Sequence, residues 1–257
     1  MNETPPDALP GLGLQAGYYV TGTDTGIGKT LASASLLHAL RARRIRAVGM
    51  KPVASGCVRT ADGWHNEDAL LLRAASDPAP AYADVNPYAL VHPLAPELAA
   101  ADDGVELELA PIVHAYERLA RQADAVVVEG VGGWAAPLSA TLDQADLVRA
   151  LGLPVVMVVG LRLGCISHAR LTARAIVADG LRLVGWIAND IDPLMDRRDD
   201  NFALLQERLH VPCWGRLPFK VPADPAALAG TLRVPVWPIA GELPPTSGTG
   251  ASGRKRM

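Results

Sequence analysis

Residues 18–30 read YYVTGTDTGIGKT, and this stretch decides the fold. An apolar run, Tyr18 to Val20, enters a glycine-rich turn that closes on Gly28-Lys29-Thr30. The chain then passes into a helix pattern with Ala32, Leu36, Leu37 and Leu40 on one period. Strand, small-residue loop and helix start, in that order, build a cradle for phosphate. Small residues let backbone N–H groups curl around an anion, and the helix N-terminus adds partial positive charge. Lys29 is placed to reach terminal phosphates, and the Thr30 hydroxyl to hold Mg²⁺. The loop is a variant. The usual pattern has a glycine five residues before Gly28; Thr23 stands there, and Gly22 comes one residue early.

Outward from this loop, strands and helices alternate. The expected strands are Tyr18–Thr21, Ala47–Met50, Ala125–Val128, Val155–Val159, Leu183–Ala188 and a short one near Pro212–Gly215. The expected helices are Lys29–Arg43, Glu67–Ala75, Ile112–Gln122, Asp143–Leu151, His168–Asp179 and Arg198–Leu209. Residues 77–97 carry five prolines and read as an irregular excursion. Continuous apolar strands such as AVVV and PVVMVVG imply burial on both faces. The chain is thus expected to form an α/β fold, with a mostly parallel sheet and helices on both faces of one domain. That domain is assigned to residues 17–241. Residues 1–16 and 242–257 are rich in Pro, Gly and polar residues, and are expected to be a flexible extension and a disordered tail.

The 257 residues include 49% hydrophobic and 20% charged, as expected of a folded soluble protein. A net charge of −3 gives no reason to expect nucleic acid or an anionic membrane as partner. No apolar run approaches a membrane span, and the first residues lack the pattern of a secretory signal. Cys57, Cys165 and Cys213 are widely spaced and form neither a zinc pattern nor a disulfide framework. A reducing cytoplasm is the expected compartment.

In a parallel sheet ligands bind beyond the carboxyl ends of the strands, and here those positions are unusually polar. Glu129 ends a strand before GVGGW, where a carboxylate can hold Mg²⁺ opposite Thr30. Asp68, in HNEDAL, reads equally well as a second carboxylate for the metal or as a helix-start acid favoured by the helix dipole. Lys51 follows a strand and precedes a proline, which points it over the site edge rather than into the core. It reads equally as a phosphoryl or carboxylate ligand and as a solvated lysine. Asn189 suits an adenine edge or a turn. His168 lies at a helix start, where a capping or interface role is simpler than a catalytic one.

Taken together, the motifs resemble the dethiobiotin synthetase family of P-loop NTPase-fold enzymes. The resemblance is carried by VTGTDTGIGKT (20–30), KPVASG (51–56), NED (66–68), VNPY (85–88), VVEGVGGW (127–134), VVGLRLGCISHA (158–169) and GWIAND (185–190). It runs from about residue 18 to 220. It implies an ATP- and Mg²⁺-dependent homodimer that closes the ureido ring of dethiobiotin from 7,8-diaminononanoate and CO₂. Gly26, Ile27, Gly28, Lys29, Thr30 and Leu31 would wrap the ATP phosphates. Thr30, Asp68 and Glu129 would hold Mg²⁺, and Glu129, Gly130, Val131 and Gly132 would also border the nucleotide. Lys51, Lys29 and Thr25 would be catalytic. Lys51, Thr25 and Ser55 would also contact substrate, as would Ser167 across a dimer. Asn189 and Asp190 would bind adenine, with Pro218, Phe219 and Lys220 lining the base pocket.

Two places depart from the family pattern. Ser167 stands where the resemblance leads to an asparagine, and DPAAL (224–228) lacks an acidic residue after the proline. Two other classes fit less well. Partition-type switch ATPases carry an early loop lysine, whereas this loop has Asp24 there and no lysine between Gly22 and Gly28. Amide-forming ligases of cofactor synthesis append a glutamine-hydrolysing domain, for which this chain is expected to have no room.

Overall fold

The computed structural model describes residues 16–235. In chain order the first half contains β1 (Ala16–Gly22), α1 (Lys29–Ala42), β2 (Ala47–Met50), β3 (Val53–Ala54), β4 (Val58–Thr60), β5 (Gly63–His65), α2 (Glu67–Ala75), α3 (Tyr82–Val85), β6 (Tyr88–Ala89), α4 (Pro96–Asp103) and α5 (Leu109–Gln122). The second half contains β7 (Ala125–Glu129), β8 (Pro137–Ser139), β9 (Leu142–Asp143), α6 (Gln144–Leu151), β10 (Val155–Leu161), α7 (Cys165–Ala178), β11 (Leu183–Asp190), α8 (Arg198–Arg208), β12 (Cys213–Leu217) and α9 (Pro225–Leu228). The two expected extensions fall outside the described residues, apart from Ala16, the first residue of β1.

Six strands make one parallel sheet in the order β12-β11-β10-β1-β7-β2. Alternation along its apolar strands feeds two faces. Tyr18, Val20, Val127, Val156 and Val158 pack with Ala32, Leu36, Leu37 and Leu40 of α1. Tyr19, Val126, Val128 and Val155 point the other way, against Ile112, Tyr116 and Leu119 of α5 and Leu147 and Val148 of α6. A third cluster joins Met157 and Val159 to Trp186, Ala188 and Leu205 under α7 and α8. Both faces are therefore covered, and only the strand ends are left for a ligand. Register aligns those ends: Val20 lies beside Glu129, Met50 beside Val128, Gly22 beside Val158, and Asn189 beside Gly160.

The six sheet strands and the six long helices lie where periodicity places them. Asp143 is the N-cap of α6 rather than its first residue, in a capping box with Asp146. The expected irregular excursion at 77–97 is a correction. It holds α3 and the short strand β6, which pairs with β3, and Pro96 opens α4. Proline reads as a breaker, yet at the first helical position it surrenders no hydrogen bond. Two further small pairs, the hairpin β4–β5 and the ribbon β8–β9, go beyond the expected elements. Two- and three-residue strands are too short to show a period.

Candidate active site

The loop from Thr23 to Gly28 joins β1 to α1, and two glycines explain its variant spacing. A Cβ on Gly22 would press to 2.8 Å from Ile27 Cδ1 and 2.9 Å from Lys29 Cδ. The early glycine is thus where the Lys29 stem crosses the strand end, which accounts for its displacement. Gly28 caps α1 in the left-handed region at φ 82°. A Cβ there would overlap the Asn189 amide, which donates to Ile27 O at 2.9 Å. The cradle is therefore fastened from behind by β11.

Lys29 is buried, and its Nζ donates to the Asp24 carbonyl at 2.9 Å. Burial, with the Lys51 charge nearby, pushes its pKa down to about 8, against the opposing pull of Glu129, Asp68 and Asp24. The Asp24 carboxylate accepts from Thr25 N–H at 2.7 Å and pairs with Arg162, which follows β10. The Thr25 N–H and Arg162 together hold that carboxyl below its ordinary range.

Lys51 corrects the expectation of an edge lysine. It is 4% exposed. Its Nζ lies 2.5 Å from Glu129 Oε1, 3.2 Å from Asp68 Oδ2 and 3.2 Å from the Gly130 carbonyl. Burial opposes its charge, but Glu129 and Asp68 outweigh burial and raise its pKa. The lysine turns inward because β2 and β7 are neighbours, so the exit of one strand faces the last residue of the other. Thr30 Oγ1 donates to the same Glu129 oxygen at 2.8 Å. Glu129 is fully buried, and its Oε2 makes no hydrogen bond among the described residues. Asp68 reaches the site because Asn66 caps α2, accepting from Asp68 N–H and Ala69 N–H.

These groups surround one cavity of about 880 Å³. Thr25, Gly26, Gly28, Lys29, Thr30, Lys51, Ser55, Asp68, Glu129, Val131 and Gly132 line it, as the sequence reading expected. Ser55 Oγ is buried and without a hydrogen-bond partner among the described residues. Ile27, Leu31 and Gly130 do not line the cavity. Asn66, Ala54, Gly133, Ala136 and the Pro93–Pro96 turn also line the cavity and were missed. Asn66, Ala54 and Gly133 had a visible signal, since they lie in NED, KPVASG and VVEGVGGW; Ala136 and the Pro93–Pro96 turn had none.

Other expected residues are not brought into the cavity. Asn189 and Asp190 are buried behind the phosphate loop. The Asp190 carboxylate is taken by Arg216, at 2.7 and 3.1 Å, with Arg198 at 3.7 Å. Pro218, Phe219 and Lys220 follow β12, whose Leu217 pairs with Asn189, so they border the same strand end without reaching the cavity. Ser167 and His168 are exposed on the first turn of α7. Among the described residues no three His, Cys, Asp or Glu gather as metal ligands, and no helix is long and apolar enough to cross a membrane.

The donor set fits Mg²⁺ nonetheless. One hydroxyl and two carboxylates are hard oxygen ligands, and Mg²⁺ commonly takes only one or two protein carboxylates beside phosphates and waters. The unpartnered Glu129 Oε2 is the observation that supports this fit.

The fold and cradle define a P-loop nucleotide-binding protein. A ParA-family ATPase from Chlorobium tepidum shares the fold, with a TM-score of 0.50 at 14% identity over 86% of this chain and 91% of that one. Residues 16–227 match the model of an AAA domain family. The ATP-dependent dethiobiotin synthetase BioD of Xanthomonas euvesicatoria is 70% identical over 218 residues, 85% of this chain and 97% of that protein. Its namesake from Xylella fastidiosa is 63% identical over 84% of this chain and 96% of its own length. The chain belongs to the dethiobiotin synthetase family.

Proposed function

We propose that the chain closes the ureido ring of dethiobiotin from 7,8-diaminononanoate and CO₂, converting ATP to ADP and phosphate. The observation that carries this reading is the meeting of a phosphate cradle with Lys51 and Ser55 in one cavity. A nucleotide switch has no use for the second pair. CO₂ adds to the 7-amino group, which loses a proton and becomes a carbamate. The carbamate oxygen attacks the γ-phosphate, ADP departs, and a carbamic–phosphoric anhydride remains. The 8-amino group then attacks its carbonyl and expels phosphate, closing the ring.

The protein's share is positioning and charge. Lys29 and Lys51 flank the transferring group and neutralise its charge. Thr25 and Ser55 orient the carbamate and diamine. Thr30, Asp68 and Glu129 would hold Mg²⁺, which offsets phosphate charge when bound. Asn189 and Asp190 bound the base side, with Pro218, Phe219 and Lys220 beside it. The direct test is formation of dethiobiotin from diaminononanoate, bicarbonate and Mg-ATP. ATP hydrolysis at the same rate without diamine and bicarbonate would instead favour a switch.

The same reading makes the protein a cytoplasmic homodimer. Ser167 lies outside the cavity of its own chain, beside Leu163 and Leu171, which are 89% and 61% exposed. A partner copy would cover those leucines and carry Ser167 to substrate. The polar atom of serine lies one bond nearer the backbone than those of asparagine, so a water fills the difference. Ser167→Asn is expected to keep kcat and to leave the diamine KM equal or lower by up to about fivefold. Loss of activity in steady-state assays would show that the serine serves a different local arrangement.

A further inference from the structure

Gln144 belongs to no motif of the sequence and does not line the cavity, yet it is 1% exposed. It is the first residue of α6 and is pressed under the 130–134 segment. Its Oε1 accepts from the Tyr19 hydroxyl at 2.8 Å and from Val131 N–H at 3.2 Å. Its Nε2 donates to the Gly133 carbonyl at 2.6 Å and the Trp134 carbonyl at 3.2 Å. All four hydrogen-bonding positions of the amide are thereby used. Three go to the backbone of one five-residue turn, and the fourth to β1, the strand that feeds the phosphate loop.

That turn matters because Val131, Gly132 and Gly133 form a cavity wall. It lies against Gly22–Thr25, so that a methyl on Gly132 would meet Thr25 Oγ1 at 3.6 Å. The turn has little regular structure of its own. Trp134 pins its far end, donating to Asp179 at 2.7 Å and meeting Tyr19 edge to face at 6.4 Å. Between Glu129 and Trp134, Gln144 alone among the described side chains bonds to the backbone of residues 131–133.

We propose that Gln144 is the positioning residue of this wall. It sets the gap between the 130–134 turn and the phosphate loop, and hence the fit of nucleotide and diamine. The kinetic part of this inference rests on the ring-closing reading; the structural part does not. Aliphatic pairs of similar size could fill the same space without aiming any backbone group, so the amide has a role that packing alone does not explain.

The test compares wild type, Gln144→Met, and Gln144→Met with Tyr19→Phe. Methionine matches glutamine in length but makes none of the four bonds. Amide exchange at Val131 is expected to quicken by about tenfold or more, while amides 26–30 hold their rates. KM for ATP and diamine should rise about ten- to a hundredfold, with kcat falling less than about threefold. Adding Tyr19→Phe removes the orphaned hydroxyl and should restore the thermal midpoint, but not KM or exchange.

Recovery of KM together with the midpoint would reduce Gln144 to a packing residue and overturn the proposal, as would unchanged exchange at Val131. Should the methionine variant not fold, Gln144→Glu keeps both acceptor contacts and loses both donated ones. A raised KM with folding retained supports the proposal, and a wild-type KM overturns it. If wild type makes no dethiobiotin, the ring-closing reading fails and the exchange result still judges Gln144.

Discussion

Lys51→Gln is expected to lower kcat for dethiobiotin formation by at least about a thousandfold, with circular dichroism unchanged. Two losses combine. In the proposed reaction the transferring phosphoryl group and the carbamate lose a buried cation whose position is set by three contacts: Glu129, Asp68 and the Gly130 carbonyl. The fully buried Glu129 also loses its counter-charge, and removing one member of a buried pair costs about 3–5 kcal/mol. A lowered thermal midpoint should therefore accompany the catalytic defect, and Mg²⁺ with ATP should restore part of it by supplying positive charge. Calorimetry separates the effects: nucleotide affinity should change far less than kcat. Dethiobiotin formation within tenfold of wild type would remove Lys51 from the chemistry.

Gly28→Ala is expected to abolish tight ATP binding, raising Kd by about a hundredfold or more. The left-handed backbone at φ 82° disfavours any L side chain. A Cβ at this site would also overlap the Asn189 amide and displace its bond to Ile27 O. Either the cradle opens or the Asn189 side chain swings away and releases the loop carbonyl, and phosphate loses aligned N–H donors in both cases. The double variant Gly28→Ala with Asn189→Ala clears the overlap but keeps the backbone strain. Partial recovery in equilibrium binding is expected; full recovery would show that strain is unimportant and that only the collision matters.

What was legible in the sequence follows from range. Periodicity marks long elements, so the six sheet strands and the order of polar strand ends could be read directly. Glu129 opposite Thr30 follows from motif position, and the 2.8 Å contact agrees with it. Lys51 was placed at the right strand end but on the wrong side of the surface. Its burial depends on β2 lying next to β7, and adjacency of strands separated by four helices, a hairpin and the β3–β6 pair is not a local property. Pro96 was read as a breaker because the same residue disrupts a helix interior and suits its first turn. Gln144 was invisible, since a polar residue at a helix start ordinarily faces solvent. Only the fold reveals that it lies under a turn. Asn189 was read for an adenine edge or a turn, whereas one of its donors is spent on the phosphate loop.

Asn189 and Asp190 are consecutive on β11 but hold two different segments. The first grips the loop that holds phosphate, and the second grips Arg216 on the strand leading to Pro218, Phe219 and Lys220. One dipeptide of β11 thus ties the phosphate loop to β12 and sets the distance between that loop and the segment that follows β12. Slack introduced at Arg216 should be felt at the phosphates, although Arg216 makes no contact with the loop.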